Sequence, residues 1–249
     1  MLACTNSDVQ PNAFQTETGV SVTAVTTEEM RDVDRVAVET IGLALLQMME
    51  NAGRTLAWHA RELAAGPIVV VAGNSGNGGG GMASARHLTN HECDVTVVLD
   101  RPPTELSGAA ARQYRILDAS AVPVYHGEEA TAAIADAETI VDALVGYGLS
   151  GPVRGDAQRL IAAIEDTSAA VCSLDIPSGR DATTGAIQGV AVEPDRTVTL
   201  ALPKTGMHAT AGFGTLYLAD IAIPAAVYDR LEIPYDRPFG DQMWVRLSR

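Results

Sequence analysis

The sequence predicts an α/β protein: a Rossmann-like, doubly wound and mostly parallel sheet with helices on both faces. Short apolar runs such as Ile68–Ala72 carry no polar alternation, as strands buried on both faces require. Helix-forming segments separate these runs, which demands crossover connections and therefore parallel pairing. The 249 residues are 47% hydrophobic with a mean hydropathy of +0.09, enough for one sizeable core.

In chain order, residues 1–20 are polar and predict a flexible leader, leaving 21–249 as a single domain. Thr26 with Glu29 three positions on forms a capping box, so a helix opens there and runs to about Gly42. A second helix covers Leu45–Leu63, and the two pack at one side of the sheet. Pro67 breaks the helical pattern and Ile68–Ala72 is the first strand of the α/β core. A glycine loop from Gly73 to Gly81 follows, and then a helix. Further strands are expected at 94–99, 122–125, 139–145, 169–176, 197–202 and 215–221, with helices at 104–118, 128–137 and 156–164. No tandem repeat or linker divides the chain.

Charge and cysteine content exclude several classes. The net charge is −14, from 31 acids against 17 bases, and Lys204 is the sole lysine. A field of that sign opposes nucleic acid, and an acidic, lysine-poor surface suits a salt-rich cytoplasm. No apolar stretch reaches the length of a membrane span. The N-terminus has no basic region leading into an apolar core, so a secretory signal is not expected. Cys4, Cys93 and Cys172 are dispersed and odd in number, without zinc or disulfide spacing, as in a reducing cytoplasm.

In a doubly wound sheet, ligands bind outside the carboxyl ends of the strands. The first such end opens into Gly73, Gly76, Gly78, Gly79, Gly80 and Gly81, with the dinucleotide spacing Gly76-x-Gly78-x-x-Gly81. Backbone N–H groups at a helix start suit an anion. Asp100, at the end of the next strand, is a candidate ribose ligand. Asp142 lies inside a strand and Asp175 at the end of another. A carboxylate there is costly unless it is paired, hydrogen-bonded or bound to a cation. Two readings stand: acceptance of bonds from neighbouring loop N–H groups, or a shared cation. Asn77, Asp142 and Ser178 offer only oxygens and amides, the donors of a hard cation rather than a transition metal. Lys204, beside Pro203, is a candidate partner for a phosphate or an acid.

The segments "MMENAGR" (48–54), "AGNSGNGGGGMASARHL" (72–88), "VDALVGYGLSGPVRG" (141–155), "SLDIPSGRDATTG" (173–185) and "TVTLALPKTGM" (197–207) occur in a distinctive order. In that order and spacing the chain resembles the YjeF N-terminal-domain family, from about Val25 to the C-terminus. The resemblance implies an epimerase that interconverts the R and S forms of hydrated NADH and NADPH (NADHX and NADPHX) in cofactor repair. It implies a potassium ion held by Asn77, Asp142 and Ser178. It implies substrate contacts from Gly76, Asn77, Gly78, Gly79 and Gly80, from the loop Gly146, Tyr147, Gly148, Leu149, Ser150, Gly151 and Pro152, and from Asp175. Asp175 is also the candidate catalytic proton shuttle, because breaking and re-forming a C–O bond needs a carboxyl group at the ring. The partners so implied are a separate NAD(P)H-hydrate dehydratase and a second copy in a homodimer, with no nucleic acid and no membrane. The family pattern N-N-G-G-D-G is altered here: Gly76 replaces the first Asn and Gly80 the Asp. Two alternatives stay open. A nucleotide-binding module without turnover draws support from Gly80. An NAD dehydrogenase draws support only from the glycine spacing and lacks a Tyr-x-x-x-Lys pair.

Overall fold

The computed structural model describes residues 13–209 and 211–249. The N-terminal segment contributes two short strands, β1 (Ala13–Thr16) and β2 (Ser21–Thr23), then α1 (Thr27–Arg35). Thr26 caps α1 through the expected reciprocal box with Glu29. A π-helical stretch, Val36–Ile41, continues α1 to Gly42, and α2 (Leu45–Leu63) follows. The α/β core then runs β3 (Ile68–Ala72), α3 (Gly76–Asn90), β4 (Val95–Leu99), α4 (Gly108–Ala119), β5 (Val124–His126), α5 (Glu128–Ala135), β6 (Thr139–Ala143), α6 (Gly155–Glu165) and β7 (Ala170–Leu174). It closes with β8 (Arg196–Leu200), α7 (Gly206–Ala209), β9 (Thr215–Ala219), α8 (Ala225–Arg230) and β10 (Trp244–Ser248).

All ten strands form one sheet in the order β2-β1-β10-β9-β8-β7-β6-β3-β4-β5. From β9 to β5 every neighbouring pair is parallel, while β10, β1 and β2 extend the sheet antiparallel. Alternate residues of β3 serve different layers, as the two-residue period of a strand requires. Ile68, Val70 and Ala72 pack with Leu56, Met82 and Leu117 of α2, α3 and α4. Val69 and Val71 pack with Ile134, Leu160 and Ile161 of α5 and α6. A third cluster joins Phe14, Met30, Val33, Phe213 and Tyr228 at the β10 side. Among the described residues, no helix is long and apolar enough to cross a membrane.

Two expectations change. The polar leader expected over 1–20 includes a strand: Phe14 is fully buried and stacks on His208 at 3.9 Å, and β1 pairs with β10. One apolar anchor and a sheet edge order this stretch despite its polar composition; residues 1–12 lie outside the described residues. The glycine loop expected over 73–81 is largely helix, because α3 already begins at Gly76. A Cβ on Gly78 would lie 1.7 Å from the Gly73 carbonyl oxygen, and one on Gly81 would lie 2.4 Å from Ala143 Cβ. The glycines let the helix start press onto β3 and β6 more closely than any side chain permits.

This packing sets opposite outcomes for two glycine substitutions in one helix. Gly76 has open space around it, so Gly76→Ala should raise stability by up to about 1 kcal/mol, the ordinary helical advantage of alanine. Gly78→Ala should lower it by about 1–3 kcal/mol through overpacking. Urea unfolding of both variants measures this, and equal shifts would contradict the packing role.

Candidate active site

β3 and β6 lie side by side, yet the chain leaves β3 towards β4 and β5 on one side while β6 leads to β7 and β8 on the other. Such a switch in strand order opens a crevice at the carboxyl ends. A cleft of about 560 Å³ occupies this position. Its floor is the start of α3, with Gly76, Asn77 and Gly80. One wall is the loop after β6, with Gly146, Tyr147 and Gly148. Asp175 and Lys204 enter beyond β7 and β8, Asp100 and Arg101 follow β4, and α1 supplies Arg31 and Asp34.

Asp175 sits immediately after β7 with φ +66°, an unusual conformation for any residue but glycine, although Asp and Asn tolerate it best. The bend lets Asp175 N–H donate to the Val198 carbonyl at 2.7 Å and turns the carboxylate into the cleft. Oδ1 accepts bonds from Lys204 Nζ, from Leu200 N–H at 3.2 Å and from Thr199 Oγ1 at 3.4 Å. Oδ2 accepts none from the described residues. Lys204 is wholly buried and also donates to the Leu200 carbonyl at 3.0 Å. Backbone bonds on both sides of Lys204, from Val25 N–H to the Pro203 carbonyl and from Thr205 N–H to the Val25 carbonyl, hold it there.

Tyr147 links this pair to α1. Its hydroxyl donates to Asp34 Oδ2 at 2.5 Å, and its ring centroid lies 5.8 Å from Lys204 Nζ. Burial raises the pKa of Asp34, against the opposing pull of the Tyr147 bond and the nearby Lys204 charge. Burial also raises the Tyr147 pKa, so its proton stays on the phenol and is offered to Asp34.

Asp142 is fully buried beneath the cleft and does not line it. Its carboxylate accepts four bonds: Ser178 Oγ at 2.5 Å, Ser173 Oγ at 2.8 Å, Ser178 N–H at 2.9 Å and Leu144 N–H at 3.3 Å. Burial raises its pKa and these donors draw it back down. Ser178 Oγ in turn accepts from Val145 N–H at 2.8 Å. The next residue, Gly146, lies against Asn77: a Cβ there would sit 3.1 Å from Asn77 Cγ. Asn77 Nδ2 is buried without a hydrogen-bond partner among the described residues. Asn77, Ser178 and Asp142 are thus joined through the loop after β6, and the four acceptor positions of Asp142 are already used.

Of the residues expected at the site, Gly76, Asn77, Gly80, Gly146, Tyr147, Gly148 and Asp175 line the cleft. Gly78 and Gly79 do not; they are buried within α3, where they serve packing. Leu149, Ser150, Gly151 and Pro152 lie farther along the loop, outside the lining. Sequence reasoning missed Asp34 and Arg31, which come from a helix outside the α/β core. The available signal was the polar face of a capped helix, which looks like any solvated face.

The Asp175–Lys204 pair has a measurable signature. Lys204→Met leaves a buried carboxylate without its counter-charge and should cost about 3–5 kcal/mol in unfolding free energy. Adding Asp175→Asn should recover part of that loss, because the remaining group is neutral. A double-mutant cycle in urea reads the coupling, and additive losses would show that the pair is not energetically linked.

The family model described as "YjeF-related protein N-terminus" matches residues 45–206. The chain is 39% identical to an NAD(P)H-hydrate epimerase of Dehalogenimonas lykanthroporepellens, across 94% of this chain and 97% of that one. It is 34% identical to an NAD(P)H-hydrate epimerase of Pirellula staleyi, across 81% and 93%. A bifunctional NAD(P)H-hydrate repair enzyme, Nnr, of Salinibacter ruber is 37% identical over 83% of this chain, which spans only 42% of that longer protein. In fold, the chain resembles the crystal structure of the yeast protein ynu0, with a TM-score of 0.78 at 22% identity, covering 90% of this chain and all of that one. The chain therefore belongs to the family of YjeF-related N-terminal domains.

Proposed function

We propose that this chain is an NAD(P)H-hydrate epimerase, interconverting the R and S forms of hydrated NADH and NADPH in nicotinamide cofactor repair. The observation that carries the mechanism is the carboxylate of Asp175. One oxygen is fixed by Lys204 and Leu200 N–H, while the other has no partner among the described residues beside the cleft. The reaction breaks the C–O bond at the hydrated ring carbon and re-forms it on the opposite face. As the bond breaks, the ring nitrogen shares its lone pair to give a C=N⁺ bond, and the hydroxyl takes a proton to leave as water. Asp175 takes a proton from solvent, passes it from Oδ2 to the leaving hydroxyl, and is left as the carboxylate that Lys204 holds and balances. When water adds to the other face, the proton returns to the same group. The buried pair thus acts in both directions, as a freely reversible reaction requires.

Potassium is part of this proposal. Asp142 is a fully buried carboxylate with no cationic side chain paired to it among the described residues, and Asn77, whose Nδ2 has no hydrogen-bond partner to fix the amide's orientation, is free to turn its Oδ1 towards a cation. This donor set suits a hard monovalent cation. The saturation of Asp142 makes it a source of negative charge more than a direct ligand, leaving ligation to Asn77 Oδ1 and neighbouring oxygens. When bound, the ion would supply a fixed positive charge beside the loop after β6. The longer repair enzymes among the relatives support a second repair step, for which the S form would pass to a separate dehydratase. A cytoplasmic setting belongs to the same reading, in keeping with dispersed cysteines.

Incubating the purified protein with R-NADHX should produce S-NADHX faster than the spontaneous exchange, as followed by chromatography. Asp175→Asn tolerates the same backbone conformation but cannot pass the proton, so the rate should fall by about 10²–10⁴. A variant with near wild-type turnover would remove Asp175 from the chemistry.

For the cation, the melting temperature should rise in potassium relative to tetramethylammonium. Asn77→Ala should abolish most of that rise. An identical potassium response in wild type and variant would reject the site.

A further inference from the structure

The end of β4 holds a charged pair that the proposed proton chemistry does not use. Asp100 and Arg101 both line the cleft. Their side chains form a two-pronged contact, with Arg101 Nε and a terminal guanidinium nitrogen each 2.8 Å from the Asp100 carboxylate. Among the described residues, neither has another side-chain partner. The Asp100 side chain is 9% exposed, whereas that of Arg101 is 36% exposed, so the guanidinium is the member open to solvent at the cleft rim.

Position gives the pair a meaning. Across the carboxyl ends, the strands run β4, β3, β6, β7. Arg101 and Asp175 are therefore three strand spacings apart, about 14 Å at ~4.8 Å per strand. Between them lies the start of α3, where Ser75 caps Gly78 N–H and the N–H groups of Gly76 and Asn77 are left to favour a phosphate. A dinucleotide with its hydrated ring at Asp175 and its pyrophosphate over α3 reaches the end of β4 with its other ribose. Carboxylates pair with ribose hydroxyls, and guanidinium groups with phosphate.

Resting on the epimerase reading, we infer that Asp100 and Arg101 form the adenosine-ribose subsite and that their mutual ion pair lets it accept either substrate. With hydrated NADH, Asp100 accepts from the ribose hydroxyls. With hydrated NADPH, Arg101 leaves Asp100 and pairs with the 2′-phosphate. Each residue offsets the other, so the site admits both forms.

Calorimetry with 5′-ADP and 2′,5′-ADP tests the subsite without requiring turnover. Arg101→Ala should weaken 2′,5′-ADP by about 10–100-fold and 5′-ADP by less than about threefold, the scale of one charge-assisted contact. Asp100→Asn should weaken 5′-ADP and tighten 2′,5′-ADP, since it removes a repelling charge and releases Arg101. In the epimerase assay, Arg101→Ala should lower the ratio of kcat/KM for NADPHX to that for NADHX by the same factor, through KM. Parallel changes in both nucleotides, or no change in either, would overturn the subsite. A wild type that binds both nucleotides with the stated variant pattern but epimerises neither substrate would overturn the epimerase reading and leave the subsite standing.

Discussion

The site depends on how closely α3 is pressed into the structure. Gly78 and Gly81 remove every atom beyond Cα at the contacts with Gly73 and Ala143, and Gly53 does the same where α2 meets Ala83. A helix that stood off by the usual side-chain distance would draw its first turn away from the loop after β6. Asn77 would then lose its place against Gly146. Close packing, more than freedom of backbone conformation, is the reason for the concentration of glycine. The same approach gives the cleft a floor of bare backbone beside the switch in strand order.

Two aspartates on neighbouring strands show two solutions to burying a carboxylate. Asp142 is surrounded by neutral donors that use all of its acceptor positions, so it is fixed and chemically quiet. Asp175 is held on one oxygen by an ammonium group and keeps the other open. The first arrangement suits a scaffold for the loop and the second suits proton transfer. Gly80 fits this division. It faces the cleft floor, where an added Cβ would meet Leu174 Cδ2 at 2.8 Å, so the neighbouring leucine fills space that a side chain at position 80 would need. With glycine at position 80, Asp175 and Lys204 remain paired.

The parallel core was legible because its strands are buried on both faces and read as unbroken apolar runs. The edge additions were not. β1 and β10 are short and only partly buried, and β1 lies in a segment of polar composition, so one buried phenylalanine carries the information. The glycine cluster announced a close approach but not what approached. A ligand and a packed helix make the same demand on the sequence, and here most of the glycines answer to the helix. Asp175 could be found from its place at a strand end. Lys204 could be read as a partner for an acid, but not for this one, because the contact is fixed across the chain by Val25. Asp34 was hidden for the same reason: nothing local distinguishes a carboxylate that faces a phenol from one that faces water.

The backbone bonds between Val25 and residues 203 and 205 also bear on when the site comes into being. They tie the beginning of the domain to a segment near its end, so the ordering cost of a very long loop must be met before Lys204 is fixed. Contacts of such sequence separation form slowly and late. During synthesis, a chain made only as far as β7 already contains the glycine helix and Asp175, yet lacks the Lys204 that neutralises that carboxylate. A half-made chain therefore holds Asp175 without its cationic partner, and the buried pair is completed only when the two ends of the domain meet.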